Sequence, residues 1–251
     1  MTRSTSSTHS SSQPRPVALR PRRVSAPVGW FLAAAAFLFG ISTAQFFSDS
    51  HGLDRILLIG LPPPFDKRDD APERLLELAH HISALGSPEI VALISMVVFG
   101  FLLLAGRIRP ALFLLVSVMG GTGFAYVLKM VFGSFRPHHS TGSNFEMLNT
   151  SFPSGHAMLA AIIYLTLAAL IADAVPPARR PLLALYALCV AFAITLAVGA
   201  SRVYLAVHWP SDVVAGWAVG ASWIVLCWLL WGWLENLSGK AVDANSAPNP
   251  G

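Results

Sequence analysis

The chain has 251 residues, of which 54% are apolar and 12% charged, with a mean hydropathy of +0.59 and a formal net charge of +4. A soluble domain carries about 25% charged residues. The composition therefore excludes a disordered chain, a disulfide-rich secreted module and an ordinary cytosolic enzyme, and leaves a membrane protein. The basic excess does not suggest nucleic acid, because Arg3, Arg15, Arg20, Arg22 and Arg23 crowd into the first 23 positions.

Residues 1–27 are rich in Ser, Thr, Pro and Arg, and are expected to form a disordered cytoplasmic tail. Six stretches are long and apolar enough for transmembrane helices of about 20 residues. They lie near 28–47, 88–106, 110–132, 156–175, 181–200 and 213–234. The expected fold is all-α: a six-transmembrane-helix bundle over 28–237, with a second disordered tail at 238–251. The long connection 48–87 holds Leu75, Leu78, Ile82 and Leu85 at helical spacing, which predicts an amphipathic helix on the outer leaflet or against the bundle. Cys189 and Cys227 lie in apolar runs and are expected to be buried thiols. In the last span, Gly216 and Gly220 form a small-residue motif suited to packing within the bundle. The tryptophans near its end suit an interfacial belt.

Residues 1–27, Arg107 to Arg109, Arg179 to Arg180 and the C-terminal tail fall on one side and carry ten Lys/Arg, against seven on the other. The positive-inside rule places both termini in the cytoplasm of a multi-pass plasma (inner) membrane protein. A rival reading makes the first run a signal peptide cleaved near Ser42-Thr43-Ala44. The length of the run favours an uncleaved span.

Three polar clusters then fall at span ends on the outer side. Lys129 to Pro137 reads K-M-V-F-G-S-F-R-P, and a continuing helix would place Lys129 and Arg136 on one face. Alone, such a pair could merely snorkel to the headgroups. Pro153-Ser154-Gly155-His156 precedes the fourth span. Ser154 can cap that helix, and the helix N-terminus offers N–H groups to an anion. Ser201 to Asp212 reads S-R-V-Y-L-A-V-H-W-P-S-D, with His208 and Asp212 close enough to bond across a helical turn. A carboxylate on one ring nitrogen fixes the tautomer and frees the other nitrogen to attack. Pro210 sits where a helix can begin.

Three cations, a backbone anion nest and two histidines suit phosphoryl transfer, because positive charge stabilises the phosphate oxygens as negative charge spreads over them. No metal or other cofactor is expected. A zinc site built from His156, His208 and Asp212 is the alternative, disfavoured by the neighbouring cations. His80 and His81 are read as bystanders, and His138 and His139 as loop residues, with headgroup contact as their alternative.

The three clusters together resemble the type 2 phosphatidic acid phosphatase family, which is related to vanadium haloperoxidases and bacterial acid phosphatases. Its signature K-x6-R-P, P-S-G-H and S-R-x5-H-x3-D is complete and in order between residues 129 and 212. The resemblance implies a metal-independent phosphatase site at the periplasmic or extracellular face. It implies that Lys129, Arg136 and Arg202 bind phosphate oxygens, helped by Ser154 and the Gly155 backbone. It makes His208 the nucleophile through a phosphohistidine, Asp212 its orienter, and His156 the general acid and then the activator of water. The expected partners are the bilayer and a lipid phosphate: undecaprenyl diphosphate, phosphatidylglycerol phosphate or phosphatidic acid, with the polyprenyl diphosphate preferred on the breadth of the family. Oligomeric state stays open. The same site could instead pass phosphate to a sugar, inositol or lipid hydroxyl. A non-enzymatic headgroup binder is the third reading, but it would need the cations without His156, His208 and Asp212.

Overall fold

A computed structural model describes residues 35–44, 54, 72–132 and 152–245, with side chains up to 234. Among these residues the chain is helical and contains no strand. The helices are α1 (Ala35–Ala44), α2 (Glu73–Ala84), α3 (Pro88–Leu104), α4 (Ile108–Phe132), α5 (Gly155–Ala174), α6 (Arg180–Tyr204) and α7 (Pro210–Asn245).

Helix α5 is the hub. Met158, Ile162 and Ile163 on it are fully buried, and it packs against α3, α4, α6 and α7. Small residues permit the closest approach. A Cβ on Gly220 would lie 2.6 Å from the Met158 carbonyl oxygen and 2.9 Å from Ala161 Cβ. One on Gly216 would lie 2.6 Å from the Ser154 carbonyl oxygen. The glycine motif thus seats α7 on α5 within the bundle, as the sequence suggested. Gly220→Val must push the two backbones apart and is expected to cost about 1–3 kcal/mol, measured as a lower thermal unfolding midpoint in detergent.

The outward faces carry Met96, Val97, Phe101, Met119, Val131, Leu182 and Phe192, all more than half exposed. Apolar surface on this scale is incompatible with water and suits lipid. The protein is an integral membrane protein. Helices α4, α5, α6 and the Pro210–Leu234 part of α7 are long and apolar enough to cross a membrane. The expected second span is shorter than its predicted range: α3 has 17 residues, about 26 Å at 1.5 Å per residue. Ser87 caps α3 by accepting from the Ile90 N–H, and Pro88 occupies its first turn. This restart breaks α2 from α3 with a 47° bend, and only together do they reach spanning length. Against six expected spans, the described residues therefore provide four, or five with the bent pair. Helix α1 lies inside the expected first span, whose remaining residues fall outside those described, as does the N-terminal tail.

Helix α2 confirms helix where the spacing predicted it. It buries Ala79 and Ser83 and packs on α6, leaving Leu75 and Leu78 exposed. Two expectations are corrected. Cys227 is buried but Cys189 is exposed, because α6 turns only one face to α5 and Cys189 lies on the other. Helix α7 also runs to Asn245, past the expected start of a disordered tail at 238. Extending a nucleated helix is far easier than starting one, so the end of the apolar run need not end the helix.

The tryptophans of α7 divide by position. Trp217 Nε1 donates to the Thr195 carbonyl (3.1 Å) and Trp223 Nε1 to the Ser117 carbonyl (2.9 Å), so both face inward. Trp233, near the end, is 58% exposed, consistent with a belt residue.

Candidate active site

The C-terminal ends of α4 and α6 and the N-terminal ends of α5 and α7 meet at one end of the bundle. Lys129 is the only basic residue in the last turn of α4, and Arg202 holds that place in α6. Gly155 opens α5, and Asp212 lies in the first turn of α7. Antiparallel succession of the spans produces this convergence.

Specific contacts knit the motifs together. The Ser154 N–H donates to the Asp212 carbonyl at 2.9 Å, joining the start of α5 to that of α7. Lys129 Nζ lies 3.2 Å from where a Cβ of Gly155 would stand. The ammonium therefore rests against the opening of α5, in space that a side chain at 155 would fill. Ser154 occupies the N-cap with extended backbone, but its side chain makes no cap bond. Here the expected side-chain cap is corrected. Its Oγ is buried and has no hydrogen-bond partner among the described residues. A buried hydroxyl left unpaired beside a helix N-terminus and a cation is suited to an anion.

His208 and Asp212 are both almost fully buried. His208 Nδ1 lies 3.4 Å from Asp212 Oδ2, long for a hydrogen bond. The same Oδ2 accepts the Trp209 N–H at 3.0 Å. The pair does not stack within one helix, as the spacing suggested. Helix α7 begins only at Pro210, where proline's missing N–H costs no helical bond. His208 therefore stands before the helix and Asp212 within it. Between α6 and His208, Ala206 adopts a left-handed conformation (φ 51°). The Ala206 N–H reaches the Val203 carbonyl (2.9 Å) and the Val207 N–H reaches that of Arg202 (3.2 Å). This Schellman-type turn ends α6 sharply and brings the chain back to start α7.

Two contributors were not apparent in the sequence. Arg202 Nη1 donates to Ser83 Oγ of α2 at 2.7 Å, so the helix expected at the membrane surface also fixes a cation of the site. Gly86, in the α2–α3 turn, would place a Cβ 2.7 Å from the His156 carbonyl oxygen. The second contributor is Asp54, which is fully buried. Its Oδ1 accepts the Ser211 N–H at 2.8 Å and its Oδ2 accepts the Ser211 hydroxyl at 2.7 Å. A carboxylate remote in sequence thus caps the start of α7, one residue before Asp212. The only hint in the sequence was an acidic residue in an outer loop, and the loop held several.

The structure thus brings together Lys129, Ser154, Gly155, His156, Arg202, His208 and Asp212. Arg136, Pro137, His138 and His139 lie outside the described residues. No group of three or more His, Cys, Asp or Glu side chains forms a candidate metal cage among the described residues, so the zinc alternative has no such cluster there.

The fold and site define a helical membrane bundle with basic residues, a helix start and a buried His–Asp pair gathered at one end. Residues 91–235, more than half of the chain, match the model of the PAP2 superfamily, and the chain belongs to that family. It is similar to phosphatidylglycerophosphatase B of Bacillus subtilis (strain 168), with 37% identity over 87 residues. That match covers 35% of this chain and 40% of the relative. The crystal structure of a transmembrane PAP2-type phosphatidylglycerolphosphate phosphatase from Bacillus subtilis has the same fold. Its TM-score is 0.61 at 21% identity, and the match covers 87% of this chain and 98% of that one.

Proposed function

We propose that the chain is a six-span membrane phosphatase that hydrolyses a lipid phosphate or diphosphate, without a metal, at the outer face of the plasma membrane. The observation that carries this reading is the buried His208–Asp212 pair tied through Ser154 to the start of α5. Asp212 keeps the proton on Nδ1, leaving Nε2 to attack phosphorus. The phosphorus–nitrogen bond forms as the bond to the leaving oxygen breaks, and His156 gives that oxygen a proton. Water then attacks the phosphohistidine, His156 takes the water's proton, and free phosphate departs from restored His208. Lys129, Arg136 and Arg202 offset charge on the phosphate oxygens, with Ser154 Oγ and the Gly155 backbone as further donors.

A site at the ends of the spans meets a headgroup at its own depth while the acyl or prenyl chain stays in the bilayer. Among the candidate substrates, similarity to phosphatidylglycerophosphatase B favours phosphatidylglycerol phosphate over undecaprenyl diphosphate and phosphatidic acid. Purified protein in detergent is expected to release phosphate from at least one of the three with EDTA present, and to be inhibited by vanadate. Absence of release from all three, or loss of release on adding EDTA, overturns the reading.

A further inference from the structure

The far end of the bundle carries a second charged feature that phosphate chemistry does not use. An open cavity of about 790 Å³ is lined there by Arg107, Arg109, Arg180, Asp173, Phe113 and Trp231, among others. Arg107 and Arg109 flank the start of α4, Arg180 starts α6 and Asp173 ends α5. Along α4, Ile108 and Lys129 are about 30 Å apart at 1.5 Å per residue, roughly the hydrocarbon thickness of a bilayer. The cavity therefore opens in the leaflet opposite the candidate active site.

We propose that this cavity binds an anionic phospholipid, with the arginines holding the phosphate and the aromatic wall holding the upper acyl chains. Three arginines and one aspartate line the cavity, so the lining is net positive; Arg107 pairs with Asp173, and Arg180 Nη2 donates to the Val175 carbonyl at 3.3 Å. Guanidinium forks match phosphate geometry better than point charges do. Asp173 is 65% exposed, and its Oδ2 sits 3.1 Å from Arg107 Nη2. So exposed a pair contributes little and opens easily to an incoming anion. Phe113 and Trp231 meet edge to face, with centroids 5.8 Å apart, and Leu170 and Trp228 extend the apolar lining. A free phosphate ion would leave this apolar wall and most of the volume unused. A basic pocket between spans beside a leaflet is a recognised form of headgroup site.

The test is native mass spectrometry of the full-length protein from micelles doped with equal phosphatidylglycerol and phosphatidylcholine. Each arginine near an anionic headgroup is worth about fivefold in affinity. Arg109→Gln/Arg180→Gln should therefore lower the retained phosphatidylglycerol adduct by tenfold or more, leaving phosphatidylcholine unchanged. Asp173→Asn removes the competing carboxylate and should raise the adduct severalfold, a gain that misfolding cannot produce. Glycerol 3-phosphate should displace the lipid poorly. Equal retention of the two lipids by the unaltered protein overturns the proposal, as does an unchanged adduct in the double arginine variant. Displacement by glycerol 3-phosphate as effective as by phosphatidylglycerol marks a soluble-anion site and also overturns it.

Discussion

His208→Ala is expected to reduce phosphate release by more than about 10³-fold, because it removes the group that would bond to phosphorus. Asp212→Asn should fall nearly as far. An amide cannot hold the imidazolium charge, and it can offer an N–H where the ring needs an acceptor, which reverses the tautomer. His156→Ala separates the two chemical steps. With p-nitrophenyl phosphate, whose leaving group needs no proton, the first step should survive while water attack slows. A labelled, acid-labile and base-stable phosphoenzyme should then accumulate in His156→Ala and be absent from His208→Ala. Label retained in His208→Ala would show that another residue is the nucleophile.

Asp54→Ala is the second large effect expected, and it comes from a residue that does not belong to the motifs. The substitution strips the Ser211 N–H and hydroxyl of their acceptor at a fully buried position. Hydrogen bonds to a charged group are worth about 1.5–3 kcal/mol each. Asp54→Ala should therefore destabilise the protein by about 3–6 kcal/mol, read as thermal unfolding in detergent. The start of α7 also carries Asp212, so its displacement should move the carboxylate relative to His208. A shift of about 1 Å can cost 10²-fold in rate, so kcat should fall by about that factor while KM changes less. Asp54→Asn keeps one acceptor and should fall between. A double-mutant cycle with Ser211→Ala should show coupling. Strict additivity would mean that Asp54 acts through some other contact.

The membrane-bundle class was legible because apolar run length is a local property. Four of the expected spans appear as α4 to α7 with boundaries within a few residues, apart from the extended ends of α6 and α7. The chemical residues were legible for a related reason. A polar group at the end of an apolar run needs an explanation, and Lys129, His156, Arg202, His208 and Asp212 all stand at such ends. The α2–α3 break was harder to place. Ser87-Pro88 marks a helix start in the sequence, but the 47° bend between α2 and α3 and the packing of α2 on α6 appear only in the tertiary structure.

What the amino-acid sequence by itself determined is the solvent of the protein, the order of its spans and the residue types available for phosphate chemistry. These follow from composition and from spacings of a few residues, which dihedral preference and periodicity convert directly into helices. What only the tertiary structure decided is which groups meet. Asp54 and Ser211 are 157 positions apart, and Ser83 and Arg202 are 119 apart. Ser154 meets Asp212 through backbone atoms that every residue possesses, so no side-chain pattern could announce that bond. Such pairings arise from the way α5 gathers its neighbours, with glycines at 216 and 220 permitting the approach. The same packing decides which tryptophans face inward, which cysteine is exposed and where the far-end arginines surround a cavity.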